Sequence, residues 1–267
     1  MVNYNNNKER SLIKRVINRF GFALTFLTRL PFPGKIKYND KLPSRSMGLY
    51  PLIGLIIGSI IFTFDYLVGG FLPPRLTNVF VLTLFVYITG GLHLDGLIDT
   101  ADGIFSCREK EKIIEIMHDS LIGAFGAIAM FLTLLLKYSL LMELQGTYRG
   151  VVLIMAPIIS RWMVVYAAKQ YPKATESKLG RSFNYELGIR QILEATVFLI
   201  LGMVIVFWLF NIPFYSILLA FMLSLLVTMA FSHYIINKLD GLTGDIYGAI
   251  NEIVELVVMF LFVVNGF

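Results

Sequence analysis

The sequence predicts an all-α, polytopic membrane helix bundle of about seven transmembrane helices, preceded by an N-terminal interfacial or re-entrant helix. Three observations predict it. Hydrophobic residues make up 57% of the 267 and charged residues only 15%, against roughly 25% charged in soluble domains, and mean hydropathy is +0.72. Apolar runs fall at 47–69, 76–98, 122–144, 149–169, 190–210, 213–235 and 249–266, each near the roughly 20 residues that cross a hydrocarbon core. Finally, ten of the 23 lysines and arginines precede the first run.

Residues 1–19 read as a polar tail whose Asn run has the composition of a disordered segment, and 20–267 as a single integral membrane domain, to which any catalytic function would belong. The tail lacks the short apolar core behind a charged start that marks a cleaved signal peptide. Phe20 to Leu30 is apolar but too short to span, and Arg29 with Pro31-Phe32-Pro33 stops it. The runs at 190–210 and 213–235 are divided only by Asn211-Ile212-Pro213, residues suited to a tight surface turn.

The cluster of basic residues before the first span places the N-terminus in the cytoplasm. Alternation then assigns Arg108, Lys110 and Lys112 to one later inside loop, and Lys169, Lys173, Lys178 and Arg181 to the next. The outside turns carry only Arg75 and Arg149, and seven spans put the C-terminus outside. A cell-membrane location follows, with the acidic motifs described next facing the cytoplasm. The single cysteine, Cys107, excludes an internal disulfide and reads as a loop thiol.

The segment from Gly90 to Gly103, GGLHLDGLIDTADG, closes the second apolar run with a histidine and three carboxylates. Asp95, Asp99 and Asp102 are spaced i, i+4, i+7, which puts them on one face of a continuous helix. Three acids on one face repel one another unless a cation lies between them, so the spacing points to a divalent metal at a membrane boundary. Asp119, in His118-Asp119-Ser120, falls at the first turn of the third span, where a carboxylate either caps the helix or adds to the site. Gly123 and Gly126 give that span a small face.

A third acidic cluster runs from Asp240 to Glu252, with Asp240-Gly241 as a turn signal and Asp245 and Glu252 flanking Gly248 and Ala249. Arg161 lies halfway along the fourth span, where an arginine needs a partner: one of these acids or a substrate phosphate. Magnesium suits the set, because it takes oxygen ligands from a few carboxylates and substrate phosphates. Asp95, Asp99, Asp102, Asp119 and Asp245 would supply a one- or two-ion site. Phosphoryl transfer to an alcohol would also need a base, for which His93 or one of the aspartates is the candidate.

These residues resemble the cobalamin synthase, or adenosylcobinamide-GDP ribazoletransferase, family. The likeness rests on Thr28-Arg29-Leu30-Pro31-Phe32-Pro33, Arg45-Ser46 followed by Tyr50-Pro51-Leu52-Ile53-Gly54, the GGLHLDGLIDTADG segment, Asp119 with Gly123 and Gly126, and Gly241-Leu242-Thr243-Gly244-Asp245. The resemblance implies a magnesium-dependent membrane transferase that joins adenosylcobinamide-GDP to α-ribazole, or to its 5′-phosphate, and releases GMP. It also implies that Asp95, Asp99 and Asp102 hold the metal. Arg29, Arg45 and Arg181, with Arg161, are the candidates for meeting substrate phosphates.

The partners expected are therefore the two substrates and the lipid bilayer, with no nucleic acid; the oligomeric state, a homo-oligomer included, stays open. Two other readings stay open as well. A CDP-alcohol lipid phosphotransferase would share the metal site, although the DG-x-x-AR run of those enzymes is absent after Asp102-Gly103. An ion-coupled transporter would place acids near the midplane rather than at one mouth.

Overall fold

The computed structural model describes residues 2–174 and 187–265. Its first helix, α1 (Val2–Leu27), takes in the Asn run and continues through the expected interfacial segment. The tail is thus helical where composition suggested disorder. Ile13, Val16, Ile17 and Phe20 recur at helical spacing, and no glycine intervenes before Gly21. The chain leaves α1 at Thr28, whose hydroxyl donates to Leu24 O at 2.7 Å, ahead of Pro31 and Pro33.

Helix α2 (Leu42–Ser46) leads through a single 3₁₀ turn into α3 (Tyr50–Gly69), with Pro43 and Pro51 near the two helix starts, where a missing N–H costs nothing. The second expected span is not straight. It is divided into α4 (Pro74–Thr89) and α5 (Leu92–Phe105), which meet at an angle of 88°. Gly90 and Gly91 make the corner with φ of +63° and +71°, a left-handed pair that side-chain-bearing residues adopt only at a cost.

A short helix, α6 (Lys110–Met117), precedes α7 (Ala124–Glu143), α8 (Gly146–Gln170), α9 (Ile189–Phe210), α10 (Phe214–Leu239) and α11 (Gly244–Val264). Among the described residues six helices are long and apolar enough to cross a membrane, and the bent α4–α5 pair makes up to seven. Asn211, at φ +49°, turns α9 into α10 as its sequence suggested.

The axis of the bundle is α8, buried along nearly its whole length and packed on α3, α9, α10 and α11. Two glycines one turn apart let α3 approach it. A Cβ on Gly54 would lie 2.3 Å from Pro157 O, and one on Gly58 would lie 2.7 Å from the Ile154 Cα, so this is a small-xxx-small contact between membrane helices. The outward faces carry exposed Phe80, Leu132, Leu136, Val197 and Ile200, as expected where the surrounding solvent is hydrocarbon.

Charged pairs tie the helices together inside. Lys137 of α7 reaches Glu252 at 2.7 Å and Glu255 at 2.6 Å on α11, and Glu255 in turn meets Arg161 of α8 at 3.2 Å. Nearer the opposite end, Arg149 of α8 holds Asp65 of α3 with two nitrogens, at 2.8 and 2.6 Å, and Asn78 of α4 at 2.7 Å. In a low-dielectric interior each charge needs such a partner.

Candidate active site

Helix α5 lies against α11 because glycine meets glycine. A Cβ on Gly96 would sit 2.7 Å from Asp245 O and 3.2 Å from the Gly248 Cα, while one on Gly248 would sit 3.0 Å from His93 O. This contact brings Asp95 and Asp245, 150 positions apart in sequence, to one cavity of about 180 Å³. Phe26, Tyr50, His93, Lys173 and Tyr247 also line it. The segment after α8 closes one side: Leu242 N donates to Pro172 O at 2.9 Å, and Ala174 N donates to Leu242 O at 3.1 Å. Gly241 is therefore more than a turn residue, since a Cβ there would lie 2.5 Å from Ala174 N.

Asp95 also faces a second, more open cleft of about 600 Å³, which it shares with Thr28, Arg29, Gly90 and Gly91. The guanidinium of Arg29 lies across Gly90, where a Cβ would be 2.4 Å from its Nε, and Arg29 N is anchored to Ile88 O at 2.7 Å. The corner between α4 and α5 thus sets an exposed arginine beside the first aspartate.

Asp99 is half-buried one turn further along α5, and the charges bearing on it are those of Asp95, Asp245 and Asp102. Among the described residues no lysine or arginine forms a salt bridge with Asp95, Asp99 or Asp245. The imidazole of His118 is close enough to Asp245 to act on its charge.

Asp102 has a different task from the one its spacing suggested. Its two oxygens accept the backbone N–H of Gly123 and Gly126, each at 2.8 Å, so a carboxylate from α5 caps the start of α7. Gly123 and Gly126 leave the room for it: a Cβ on either would lie 2.3 Å from an Asp102 oxygen. Asp119 is correspondingly not in the first turn of α7. It sits on an exposed turn before the helix, where its Oδ1 accepts Leu121 N–H at 3.1 Å, and it lines neither cavity around Asp95.

The remaining expectations divide. Arg161 is wholly buried and partnered by Glu255, Pro157 O and Ser160, so it stabilises the bundle and lines neither cavity. Glu252 belongs to the same internal network rather than to the mouth. Arg45 lies elsewhere, in a cavity with Arg15, Arg19 and Arg190. Arg181 is outside the described residues. Lys137, Glu255 and Tyr247 were not singled out from sequence, and Tyr50 entered only as part of a family motif, though an ionisable residue inside an apolar run is itself a signal for the first two.

Magnesium can be tested against these donors. Among the described residues no group of three or more His, Cys, Asp or Glu side chains is gathered closely enough to hold an ion. Carboxylate oxygens are nevertheless the donors magnesium takes, and it is held by one or two carboxylates plus substrate phosphates rather than by an all-protein cage. Asp95, Asp99 and Asp245, which form no salt bridge among the described residues, fit that arrangement; Asp102, already holding two N–H groups, fits it less well.

The bundle defines a polytopic membrane protein with an acid-bearing cavity where α5 meets α11. Residues 19–263 match the family model described as cobalamin-5-phosphate synthase. The chain is 39% identical over 240 residues to an adenosylcobinamide-GDP ribazoletransferase of Desulforamulus reducens, covering 90% of this chain and 93% of that protein. Proteins of the same name from Clostridium botulinum and Desulfitobacterium hafniense are each 35% identical, over 93% and 94% of this chain and 98% and 97% of theirs. No solved structure matches the chain. The chain belongs to the cobalamin-5-phosphate synthase family, and so to the transferases of cobalamin biosynthesis, which sets the transporter aside.

Proposed function

We propose that the chain joins adenosylcobinamide-GDP to α-ribazole, or to α-ribazole 5′-phosphate, and releases GMP, with magnesium as the cofactor and the reaction on the cytoplasmic face. The observation that supports it is the pairing of Asp95 with Asp245 at one cavity, with Asp99 near enough to feel both charges. The names of the relatives supply the substrate.

When bound, magnesium neutralises diphosphate charge as the P–O bond to GMP breaks. Asp95, Asp99 and Asp245 are the residues that would hold it. Arg29, beside Asp95 on the open cleft, meets the outer phosphate as a forked donor. A ribose hydroxyl of the ribazole other than the 5′ one, which the 5′-phosphate already occupies, attacks the phosphorus that carries the cobinamide, GMP leaves, and the hydroxyl proton passes to a base. His93 is the candidate: it lines the cavity, and its Nδ1 has no hydrogen-bond partner among the described residues. Phe26, Tyr50 and Tyr247 offer flat apolar surface for an aromatic base.

The test is purified full-length chain incubated with adenosylcobinamide-GDP, α-ribazole and magnesium, reading GMP and the corrinoid product. The expected result is product with the wild-type chain and none with Asp99→Asn in a protein that remains folded. Full activity in Asp99→Asn, or turnover of CDP-diacylglycerol in place of the corrinoid, would overturn the assignment.

A further inference from the structure

Away from the acidic mouth, a cavity of about 450 Å³ is lined by Arg15, Arg19, Arg45 and Arg190 together with Asn18 and Gln191. It shares no lining residue with either cavity around Asp95. Three separate parts of the chain build it: the middle of α1, the end of α2 and the start of α9.

The arginines are arranged rather than merely adjacent. Glu194, one turn into α9, binds the guanidinium of Arg19 and accepts Arg190 Nε at 2.9 Å. Arg19 Nε also donates to Arg45 O at 2.8 Å, which fixes α1 against α2. Gly48 makes room for the glutamate, since a Cβ there would lie 2.6 Å from its Oε2. One carboxylate therefore orients two guanidiniums, while those of Arg15 and Arg45 are exposed and have no hydrogen bond or ion pair among the described residues. Four guanidiniums against one carboxylate leave the cavity positively charged and open to an anion.

We propose that this cavity binds a phosphate group. Guanidinium forks match phosphate oxygens in pairs, and several in one concave site select phosphate over a lone carboxylate. Its source is either the headgroup of an anionic phospholipid or a soluble phosphate compound. The rim favours the lipid. Val16 on α1 lines the cavity and is exposed, and Ile189 and Leu193 on α9, flanking Arg190 in sequence, are exposed as well, which places apolar surface for acyl chains next to charge for a headgroup, as at an interfacial lipid site. A phosphate there would pin the middle of α1, whose following two turns carry Phe26 and Arg29 to the active-site cavities.

The test is native mass spectrometry of the purified full-length chain in detergent without magnesium, titrated separately with short-chain phosphatidylglycerol, short-chain phosphatidylcholine and inorganic pyrophosphate. Phosphatidylglycerol should bind in preference to phosphatidylcholine, and Arg15→Gln and Arg190→Gln should each weaken it about tenfold, the loss expected for one charged hydrogen-bonding group. Binding of pyrophosphate alone, with the same dependence on Arg15 and Arg190, supports the phosphate site with a soluble source. Affinities for both probes unchanged in the two variants overturn the proposal. Because Arg15 is exposed and tied to nothing else described, its variant keeps the test decisive even if Arg190→Gln perturbs the fold.

Discussion

Substitution of Gly96 by alanine tests whether the glycine contact between α5 and α11 builds the active site. The added Cβ would lie 2.7 Å from the carbonyl oxygen of Asp245 and 3.0 Å from its Cα. Both are backbone atoms, so no side chain can swing aside, and the two helices must part by several tenths of an ångström. Overpacking of this kind costs about 1–3 kcal/mol, and the better helix propensity of alanine returns about 1 kcal/mol. A net loss of about 0–2 kcal/mol leaves the bundle folded. The chemistry is more sensitive, since a misplacement of about 1 Å can cost about 100-fold in rate. The initial rate of GMP release should therefore fall about 10- to 100-fold, with a higher magnesium requirement, while thermal melting in detergent shifts little. Gly69→Ala is the control, because its Cβ would meet nothing nearer than 3.9 Å. A Gly96→Ala protein with the wild-type rate and magnesium requirement would refute the reasoning.

Three further outcomes follow from the same geometry. Asp102→Asn should lower stability by about 1–3 kcal/mol, because an amide NH₂ replaces one of the oxygens that accept the Gly123 and Gly126 N–H groups; unchanged melting with abolished activity would show that Asp102 acts as a ligand instead. Lys137→Met should cost about 3–5 kcal/mol by leaving Glu252 and Glu255 buried with one cation fewer, seen as loss of the folded fraction on size-exclusion chromatography. Gly54→Leu should prevent α3 from seating on α8 at Pro157, and the membrane-extracted protein should aggregate while Gly69→Ala does not.

The spans and their order were legible because a helix must satisfy its own backbone in lipid, which leaves long apolar runs in the sequence. The turn at Asn211-Ile212-Pro213 and the small face at Gly123 and Gly126 were legible for local reasons. What the small face accommodates was not. Composition cannot show that the carboxylate of Asp102 fills it, because that contact joins residues 21 and 24 positions apart across two helices. The corner at Gly90-Gly91 was written as a glycine pair and still passed as part of a straight span, since hydropathy averages over a window and is blind to φ. The pattern Gly54-x-x-x-Gly58 was likewise present and unread.

By itself, the sequence determined an integral membrane bundle, the apolar lengths of its helices and a set of acids placed where lipid would not keep them without a function. Those are local properties, dictated by backbone hydrogen bonding and by the cost of charge in hydrocarbon. Only the tertiary structure decided which acids share a site. Helix packing at Gly96 and Gly248 joined Asp95 to Asp245, the start of α7 claimed Asp102, and Glu255 claimed Arg161. A carboxylate's role depends on what lies within about 3 Å of it, and in a bundle those neighbours come from distant segments.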